Sequence, residues 1–279
     1  MQEMVMNKVK LRKYDNIMDF EKFINETPFN QVFRWSTHQS VANGKGFTGT
    51  NNFEEAVDLL KHGSDDLSKR LEKMYQVKAA DIGNTKVTKS FYNVAGYQAS
   101  VPRYLQGIPT NMIAQKKVVQ KQRVITLNKD MNYNCGWDTE DIINESAKAL
   151  AIIKKIESSG TRVNLNLCWV AESATGKQKV GCKIRLKNAD ERLNVSKMAF
   201  VMAHPSMLRR MLFRWLEVNP DVVDNSYTWG YGHPYDIRTI QEKGEYTLPI
   251  KIDNIEETVK RIQVDANKPV TYDGLKVDY

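Results

Sequence analysis

The chain has 279 residues, of which 41% are hydrophobic and 27% are charged, which predicts a sizeable core in one large domain or two small ones. No apolar run approaches the roughly 20 residues of a membrane helix, and the N-terminus lacks the apolar segment of a secretory signal. We therefore expect neither a membrane protein nor a secreted one. The formal net charge of +8 favours an anionic partner, either nucleic acid or an acidic protein surface.

Three cysteines, Cys135, Cys168 and Cys182, are widely spaced and form no C-x-x-C pair. This spacing suggests neither a disulfide framework nor a zinc site. We expect buried thiols in a reducing, cytosolic compartment.

The first half of the chain is predicted to be helical and irregular. The expected elements are a helix at 18–29, a strand at 31–36, helices at 52–62 and 65–77, and a packed, irregular stretch at 79–115. Thr50 or Asn51 is expected to cap the helix at 52–62, and Gly63 to end it.

The second half contains a clear β-α-β pattern. A strand at 116–129 precedes a helix at 138–157 that Asp138 caps, and a largely buried strand at 162–173 follows. This order predicts a right-handed crossover and a parallel strand pair. The expected later elements are a strand at 177–188, a helix at 205–217, a strand at 246–252 and a helix at 254–263.

Gly44, Gly46 and Gly49 spell G-x-G-x-x-G in front of a helix. A dinucleotide site needs a hydrophobic strand that runs directly into the first glycine, whereas here the polar STHQSVAN intervenes. We interpret the glycines as a turn before a capped helix. Weak phosphate binding by Lys45 and free helix N–H groups stays open.

Asp130, Asn132 and Asn134 follow a D-x-N-x-N spacing in the loop after the first strand of the β-α-β pattern. Alternate oxygens in such a loop suit a hard cation such as Mg²⁺ or Ca²⁺. Only one of the three side chains is charged, so we favour a polar loop and keep the metal as an alternative.

The sequence shows no recognisable catalytic frame. The four histidines stand apart from one another and from the cysteines, and no G-x-S-x-G nucleophile motif is present. A non-catalytic role is therefore favoured, with an enzyme left open.

Basic residues recur on two predicted elements. Lys183, Arg185 and Lys187 are expected on the solvent face of a half-buried, edge-type strand. Arg209, Arg210 and Arg214 lie on the helix at 205–217, and Trp229 and Tyr231 follow in a loop. Basic groups beside exposed rings suit single-stranded nucleic acid or a protein interface equally well, and the alternative is that the rings are buried.

The order from VITLN through D-M-N-Y-N to the helix at 138–157 and RVNLNLCWVAE resembles a von Willebrand factor A core. In that family a D-x-S-x-S loop binds a divalent ion; Asp130 matches its aspartate, and Asn132 and Asn134 replace its serines. Three segments, FTGTNNFEEAVDLLKHG, GYQASVPRYLQGIPTNMI and KMAFVMAHPSMLRRMLFRWLE, are also similar to an uncharacterised family of phage-encoded proteins. These resemblances imply a binding or scaffold role inside a bacterium.

We therefore predict an α/β protein with a von Willebrand factor A-like three-layer core and a mostly parallel sheet. Residues 1–115 are expected to form a helical and looped region packed on that core, and residues 116–279 the α/β domain with a C-terminal extension. The favoured function is binding of a macromolecular partner, either a host defence or regulatory protein or another phage protein. Nucleic-acid binding by the basic strand face is the alternative, a divalent-metal enzyme is the second alternative, and a homo-oligomer stays open.

Overall fold

A mixed β-sheet lies at the centre of the protein. The computed structural model describes residues 1–30, 35–37, 45–79, 88–117, 123–223, 233–267, 271–272 and 275–276. The strands are β1 (Gln2–Met6), β2 (Val9–Tyr14), β3 (Thr88–Asn93), β4 (Gln98–Ala99), β5 (Met112–Lys117), β6 (Val124–Asp130), β7 (Arg162–Glu172), β8 (Lys179–Lys187), β9 (His233–Pro234), β10 (Glu245–Leu248), β11 (Thr271–Tyr272) and β12 (Leu275–Lys276).

Helices account for most of the remaining described chain. They are α1 (Ile17–Glu26), α2 (Lys45–Thr48), α3 (Phe53–His62), α4 (Asp65–Ala79), α5 (Val101–Leu105), α6 (Thr139–Ser158), α7 (Val195–Ala203), α8 (Phe213–Val218) and α9 (Ile255–Asn267). Trp35–Thr37 and Ile237–Ile240 form 3-10 helices, and Met207–Leu212 forms a π-helical segment. No helix of the described ranges is long and apolar enough to cross a membrane.

The main sheet has the strand order β1-β2-β8-β7-β6-β10, with β9 also paired to β7. The pairs β2–β8, β7–β6 and β6–β10 are parallel, whereas β1–β2, β8–β7 and β9–β7 are antiparallel. The predicted α/β class and the predicted parallel pair around α6 are therefore confirmed. The sheet is mixed, however, because β8 is antiparallel to β7 and β2 is parallel to β8.

The regular helices that cover this sheet lie on one of its faces. Directly paired residues place their side chains on the same side of a sheet, and the register puts Leu127, Leu165, Ile184 and Trp169 on the helix side. Two adjoining hydrophobic clusters join these strand residues to α1, α3, α4 and α6 to α9. The expected three-layer arrangement is thus not seen among the described residues.

The opposite face has a small apolar patch and a larger polar area. Val9, Leu11, Cys168 and Val170 pack there against the 3-10 helix that contains Ile237 and Ile240. The rest of this face carries charged and amide side chains, which are described with the candidate site. One sheet therefore has an apolar face under helices and a mostly polar face beyond the patch.

The N-terminal residues differ from the expected helical and looped region. β1 and β2 form a hairpin whose two turn residues, Asn7 and Lys8, have φ angles of 47° and 68°. Two consecutive positive φ angles are typical of a turn whose twist matches the flanking strands. β2 then pairs with β8, so the chain start extends the main sheet.

Side-chain caps explain where several helices begin. Asp138 accepts a hydrogen bond from the backbone N–H of Asp141 at 2.8 Å, as predicted for α6. In α3 the cap is Asn52, which accepts from the N–H of Glu55 at 2.7 Å, one residue beyond the predicted Asn51. The predicted strand at 31–36 is replaced at Trp35–Thr37 by a 3-10 helix, and residues 31–34 lie outside the described ranges.

Gly49 and Gly63 share a backbone conformation but differ in their surroundings. Both have φ of +82°, where L residues are strained. A Cβ on Gly49 would lie 2.7 Å from the imidazole Cε1 of His204 and 2.9 Å from Cγ of Pro205, whereas nothing lies within 4 Å at Gly63. Gly49 is therefore required by backbone conformation and by close packing together.

We expect Gly63→Ala to lower the free energy of unfolding by about 1 kcal/mol, because only the backbone is strained. Gly49→Ala should cost roughly 2 kcal/mol more, because His204 and Pro205 must also move. Urea denaturation of both variants measures the difference. Equal losses for the two variants would show that the contact with His204 is unimportant.

Candidate functional site

A buried polar cluster lies on the uncovered face of the main sheet. We use "polar cluster" for Asn128, Asn166, Lys183 and Glu245, whose exposed fractions do not exceed 8%. The ammonium of Lys183 lies 2.7 Å from Glu245 Oε2, and Asn128 Nδ2 donates to the same oxygen at 2.9 Å. Asn166 Nδ2 donates to Asn128 Oδ1 at 2.8 Å. The cluster thus links β10, β6, β7 and β8 through one carboxylate.

Lys187 lies on the opposite face from Lys183 and Arg185. Leu165 pairs with Lys187 and Asn166 pairs with Arg185, so β8 contains one extra residue at this point. Such a β-bulge reverses the facing of the residues beyond it. Lys187 is therefore 1% exposed under α6, where its ammonium lies 2.7 Å from Glu157 Oε1 and donates to the Val163 carbonyl.

Of the three residues predicted to form a basic strand face, Lys183 and Lys187 are engaged in ion pairs within the described chain, and Arg185 is not. β8 is an interior strand between β2 and β7, which contradicts the expected edge position. Arg185 forms no hydrogen bond or ion pair with the described residues, and burial lowers the pKa of its guanidinium. It lines an open pocket of about 540 Å³, together with Gln2, Lys13, Tyr14, Asp15, Asn164, Asn166, Lys183 and Asn188.

Counter-charges surround this pocket. Lys13 pairs with Glu242 and Lys183 with Glu245, so only Arg185 among the three cations lacks a carboxylate at ion-pair distance in the described chain. Burial, followed by the neighbouring Lys183, lowers the pKa of Lys13. The pocket is therefore polar and nearly balanced in charge, which gives little support to a phosphate-binding strand face.

The three arginines of the predicted helix at 205–217 are interior residues. Arg210 is 0% exposed and donates to the hydroxyls of Thr50 and Thr48 and to the carbonyls of Thr50 and Ser36. Arg209 is 4% exposed and donates to the carbonyls of Phe47 and Trp137. Burial lowers the pKa of both guanidinium groups. Neither side chain is placed to reach a partner.

Arg214 is half-buried between aromatic rings. Its guanidinium carbon lies 3.6 Å from the ring centroid of Phe29 and 5.0 Å from that of Phe53, and its Nε donates to the Ile24 carbonyl. It therefore joins α8 to α1 and α3. The arginines predicted to contact a partner are thus engaged by these helices and loops. Trp229 and Tyr231 lie outside the described residues.

Lys45 is exposed at the start of α2, a helix of only four residues. Gly46 has no neighbour within 4 Å, and Gly44 lies outside the described ranges. Gly49 serves packing against His204. Gly46 therefore lies within the short helix α2, and Gly49 follows that helix before α3 begins.

The Asp130 loop does not bring its three predicted ligands together. Asp130 Oδ1 accepts from the backbone N–H and the Nδ2 of Asn132, while Asn134 Oδ1 accepts from the N–H of Gly136. Asn132 Oδ1 is buried without a hydrogen-bond partner in the described chain. No cluster of three or more His, Cys, Asp or Glu side chains occurs among the described residues. One carboxylate engaged by its own loop is a poor donor set for Mg²⁺ or Ca²⁺.

Residues 88–117 form a separate small sheet with exposed side chains, which the sequence analysis predicted to be a packed, irregular loop. β3 and β4 both pair antiparallel with β5, and α5 lies between β4 and β5 in the chain. We call residues 88–117 the exposed sheet unit. Its strands and α5 make no extensive contact with any other element of the described chain.

Large apolar side chains of the exposed sheet unit face solvent. Phe91 is 41% exposed, Tyr92 50%, Tyr104 68% and Leu105 78%, and Val94, Tyr97 and Val101 are also exposed. The Arg103 guanidinium lies 4.2 Å from the centroid of Tyr92 and donates to the Thr110 carbonyl. The sequence signals that could have identified this unit are the adjacent aromatic residues Phe91 and Tyr92, which favour strands, and the absence of any acidic residue from 88 to 117.

Buried titratable groups elsewhere have a structural character. Burial raises the pKa of the Cys168 and Cys182 thiols and lowers the pKa of His204 to about 4. Raised thiol pKa values disfavour the nucleophilic thiolate. These groups therefore offer packing rather than nucleophilic or acid–base chemistry near neutral pH.

We expect Arg210→Met to lower the free energy of unfolding by about 2–4 kcal/mol, because it leaves buried carbonyls of Ser36 and Thr50 without donors. Arg238→Met is the control, since Arg238 is 74% exposed and should change stability little. Urea denaturation measures both. A loss for Arg210→Met no greater than for the control would contradict the anchoring role.

Asp130→Asn should reveal a pH-dependent cost of the buried carboxylate. Burial raises the pKa of Asp130 to about 6, above its ordinary value. Below the pKa of an unfolded aspartate, about 4, the carboxyl is protonated in both states and its burial costs nothing. As the pH rises from about 4 to about 6, the unfolded state loses this proton more readily than the folded state, so the contribution of Asp130 to the stability of the wild type should fall. Relative to wild type, the variant should gain up to roughly 3 kcal/mol at neutral pH and nothing near pH 4. A difference that stays constant across pH would rule this out.

Comparison with protein families gives one match across nearly the whole chain. The comparisons with curated proteins and with solved structures gave no match. The matching family model covers residues 2–270, which includes the main sheet, its helices and the exposed sheet unit. The chain therefore belongs to the family described as a domain of unknown function, DUF7192.

Proposed function

We propose that this chain is a macromolecule-binding protein without catalytic chemistry of its own, and that the exposed sheet unit contacts the partner. The observation that carries this proposal is the exposure of Phe91, Tyr104 and Leu105 on a unit that packs little on the rest of the described chain. Large exposed apolar groups that lie close together are typical of interaction sites, whereas scattered ones need no explanation.

The physical argument is that the unit lacks a core of its own. None of residues 90–114 is fully buried, although the stretch contains four aromatic rings. A small sheet needs an apolar face packed on something else for independent stability. Contact with a partner supplies that packing, and tyrosine and arginine are favoured at the centres of such interfaces.

Other parts of the proposal rest on the sequence resemblances. The von Willebrand factor A-like core rests on the sequence resemblance. The β6–α6–β7 crossover agrees with it, whereas regular helices on only one described face of the sheet do not. A phage origin, a bacterial cytoplasmic location, and a host or phage protein as partner rest on the resemblance alone. Metal-dependent chemistry at Asp130 gains no support from the loop geometry, and calorimetry with Mg²⁺, Mn²⁺ and Ca²⁺ tests it directly.

We expect replacement of Phe91, Val101, Tyr104 and Leu105 by serine to reduce macromolecule capture several-fold, because the apolar contact area is lost. The immobilised protein is exposed to bacterial lysate, with and without nuclease, and bound protein and nucleic acid are quantified separately. The control replaces four equally exposed apolar residues elsewhere by serine, namely Val5, Met18, Val77 and Val223. Equal capture by both variants would remove the exposed sheet unit from the proposal.

A further inference from the structure

The exposed sheet unit carries an unusual share of the chain's positive charge. Its 30 residues include Lys89, Arg103, Lys116 and Lys117 and no aspartate or glutamate. Four of the chain's net eight positive charges therefore come from this unit. Elsewhere, several basic residues form ion pairs with acidic ones, as Lys183 and Lys187 do. The charge of the unit points to a polyanionic partner.

The strand register aligns two basic sequence positions with an aromatic one. β3 pairs with β5 so that position 89 is opposite 116 and position 91 is opposite 114. Alternate and directly paired positions share one face of a sheet, so the sequence positions of Lys89 and Lys116 lie on the same face as Phe91. Like charges at directly paired positions disfavour a sheet unless a counter-charge is bound.

Other exposed rings belong to the same unit. Tyr104 on α5 is 68% exposed and Tyr97, just before β4, is 62% exposed. Arg103 covers one side of the Tyr92 ring. At Gly96 an added Cβ would lie 2.2 Å from the Ile113 carbonyl oxygen, so glycine permits the close approach that lets the Tyr97 N–H donate to that carbonyl at 3.0 Å. The unit thus combines rings, positive charge and a short sheet.

We propose that the exposed sheet unit binds single-stranded nucleic acid, with Phe91 and Tyr104 stacking on bases. The inference rests on the proposed macromolecule-binding function and names its partner class. Single strands expose the faces of their bases, and stacking on aromatic side chains is largely independent of sequence. A double helix hides those faces. A protein partner would satisfy the apolar groups but would not by itself require a unit free of acidic residues.

Fluorescence anisotropy with labelled oligonucleotides of about 15 nucleotides, single-stranded and as matched duplexes, tests this proposal. We expect the full chain to bind single strands more tightly than duplexes, because only single strands permit stacking. If the four basic residues each meet a phosphate, the logarithm of the affinity should fall with the logarithm of salt with a slope of about −3. Equal affinity for duplexes, or no binding at low salt, overturns the proposal.

Two variants separate charge from stacking. Lys89→Glu with Lys116→Glu should weaken binding more than about tenfold and make the salt slope shallower by roughly 1.4. The matched control is Lys69→Glu with Lys73→Glu on exposed positions of α4, which imposes the same charge change elsewhere. Equal weakening by the two double variants would attribute binding to overall charge and overturn the proposal.

Tyr104→Leu keeps apolar area but removes the ring, so affinity should fall about fivefold or more, whereas Tyr104→Phe should restore it. Unchanged affinity in Tyr104→Leu contradicts stacking by this residue. Circular dichroism confirms that each variant remains folded. If single strands do not bind, yet nuclease-resistant protein capture still depends on the exposed apolar residues, the partner class is wrong and the proposed function stands.

Discussion

The packing of the regular helices on one face of the main sheet is the constraint on which the described structure depends. The helix-side face provides the large apolar clusters that stabilise the fold. The opposite face has only a small apolar patch under the 3-10 helix Ile237–Ile240, so its other inward groups must satisfy one another. Lys183 and Glu245 do this together with Asn128 and Asn166. Removal of one partner would leave a buried charge unpaired, which costs more than the net stabilisation that the pair provides.

The interior arginines act in the same way on the helix side. Arg210 donates to neutral oxygens of the loops around Ser36 and Thr50, and Arg209 donates to the Phe47 and Trp137 carbonyls. A buried loop has backbone N–H and carbonyl groups that no helix or strand pairs, so these groups need other hydrogen-bond partners. A guanidinium with several donors in one plane satisfies several such carbonyls at once. These arginines therefore contribute to the folding of irregular chain rather than to the surface charge that a partner would meet.

The exposed sheet unit differs in this respect from the two predicted groups of basic residues. The sequence predicted basic residues on two elements, and the structure engages them in internal contacts, apart from Arg185. The exposed sheet unit, in contrast, has exposed rings and no acidic residue in its sequence. In many binding proteins, the contact residues lie on a weakly packed segment that a rigid scaffold positions.

The sequence by itself determined the elements whose signals are local. The Asp138 cap of α6, the helices α3 and α6 themselves, and the parallel β6–β7 pair that follows from the crossover through α6 were predicted, because capping and periodicity act over a few residues. The cap of α3 is Asn52, one residue beyond the predicted Asn51. Only the tertiary structure decided where β8 lies, because its neighbours β2 and β7 are distant in sequence. The bulge that turns Lys187 away from Arg185 depends on pairing with β7, so the sequence alternation of β8 could not reveal it. The burial of Arg210 and the exposure of Phe91 depend on which elements pack over them. Contacts between segments that are distant in sequence decide this packing.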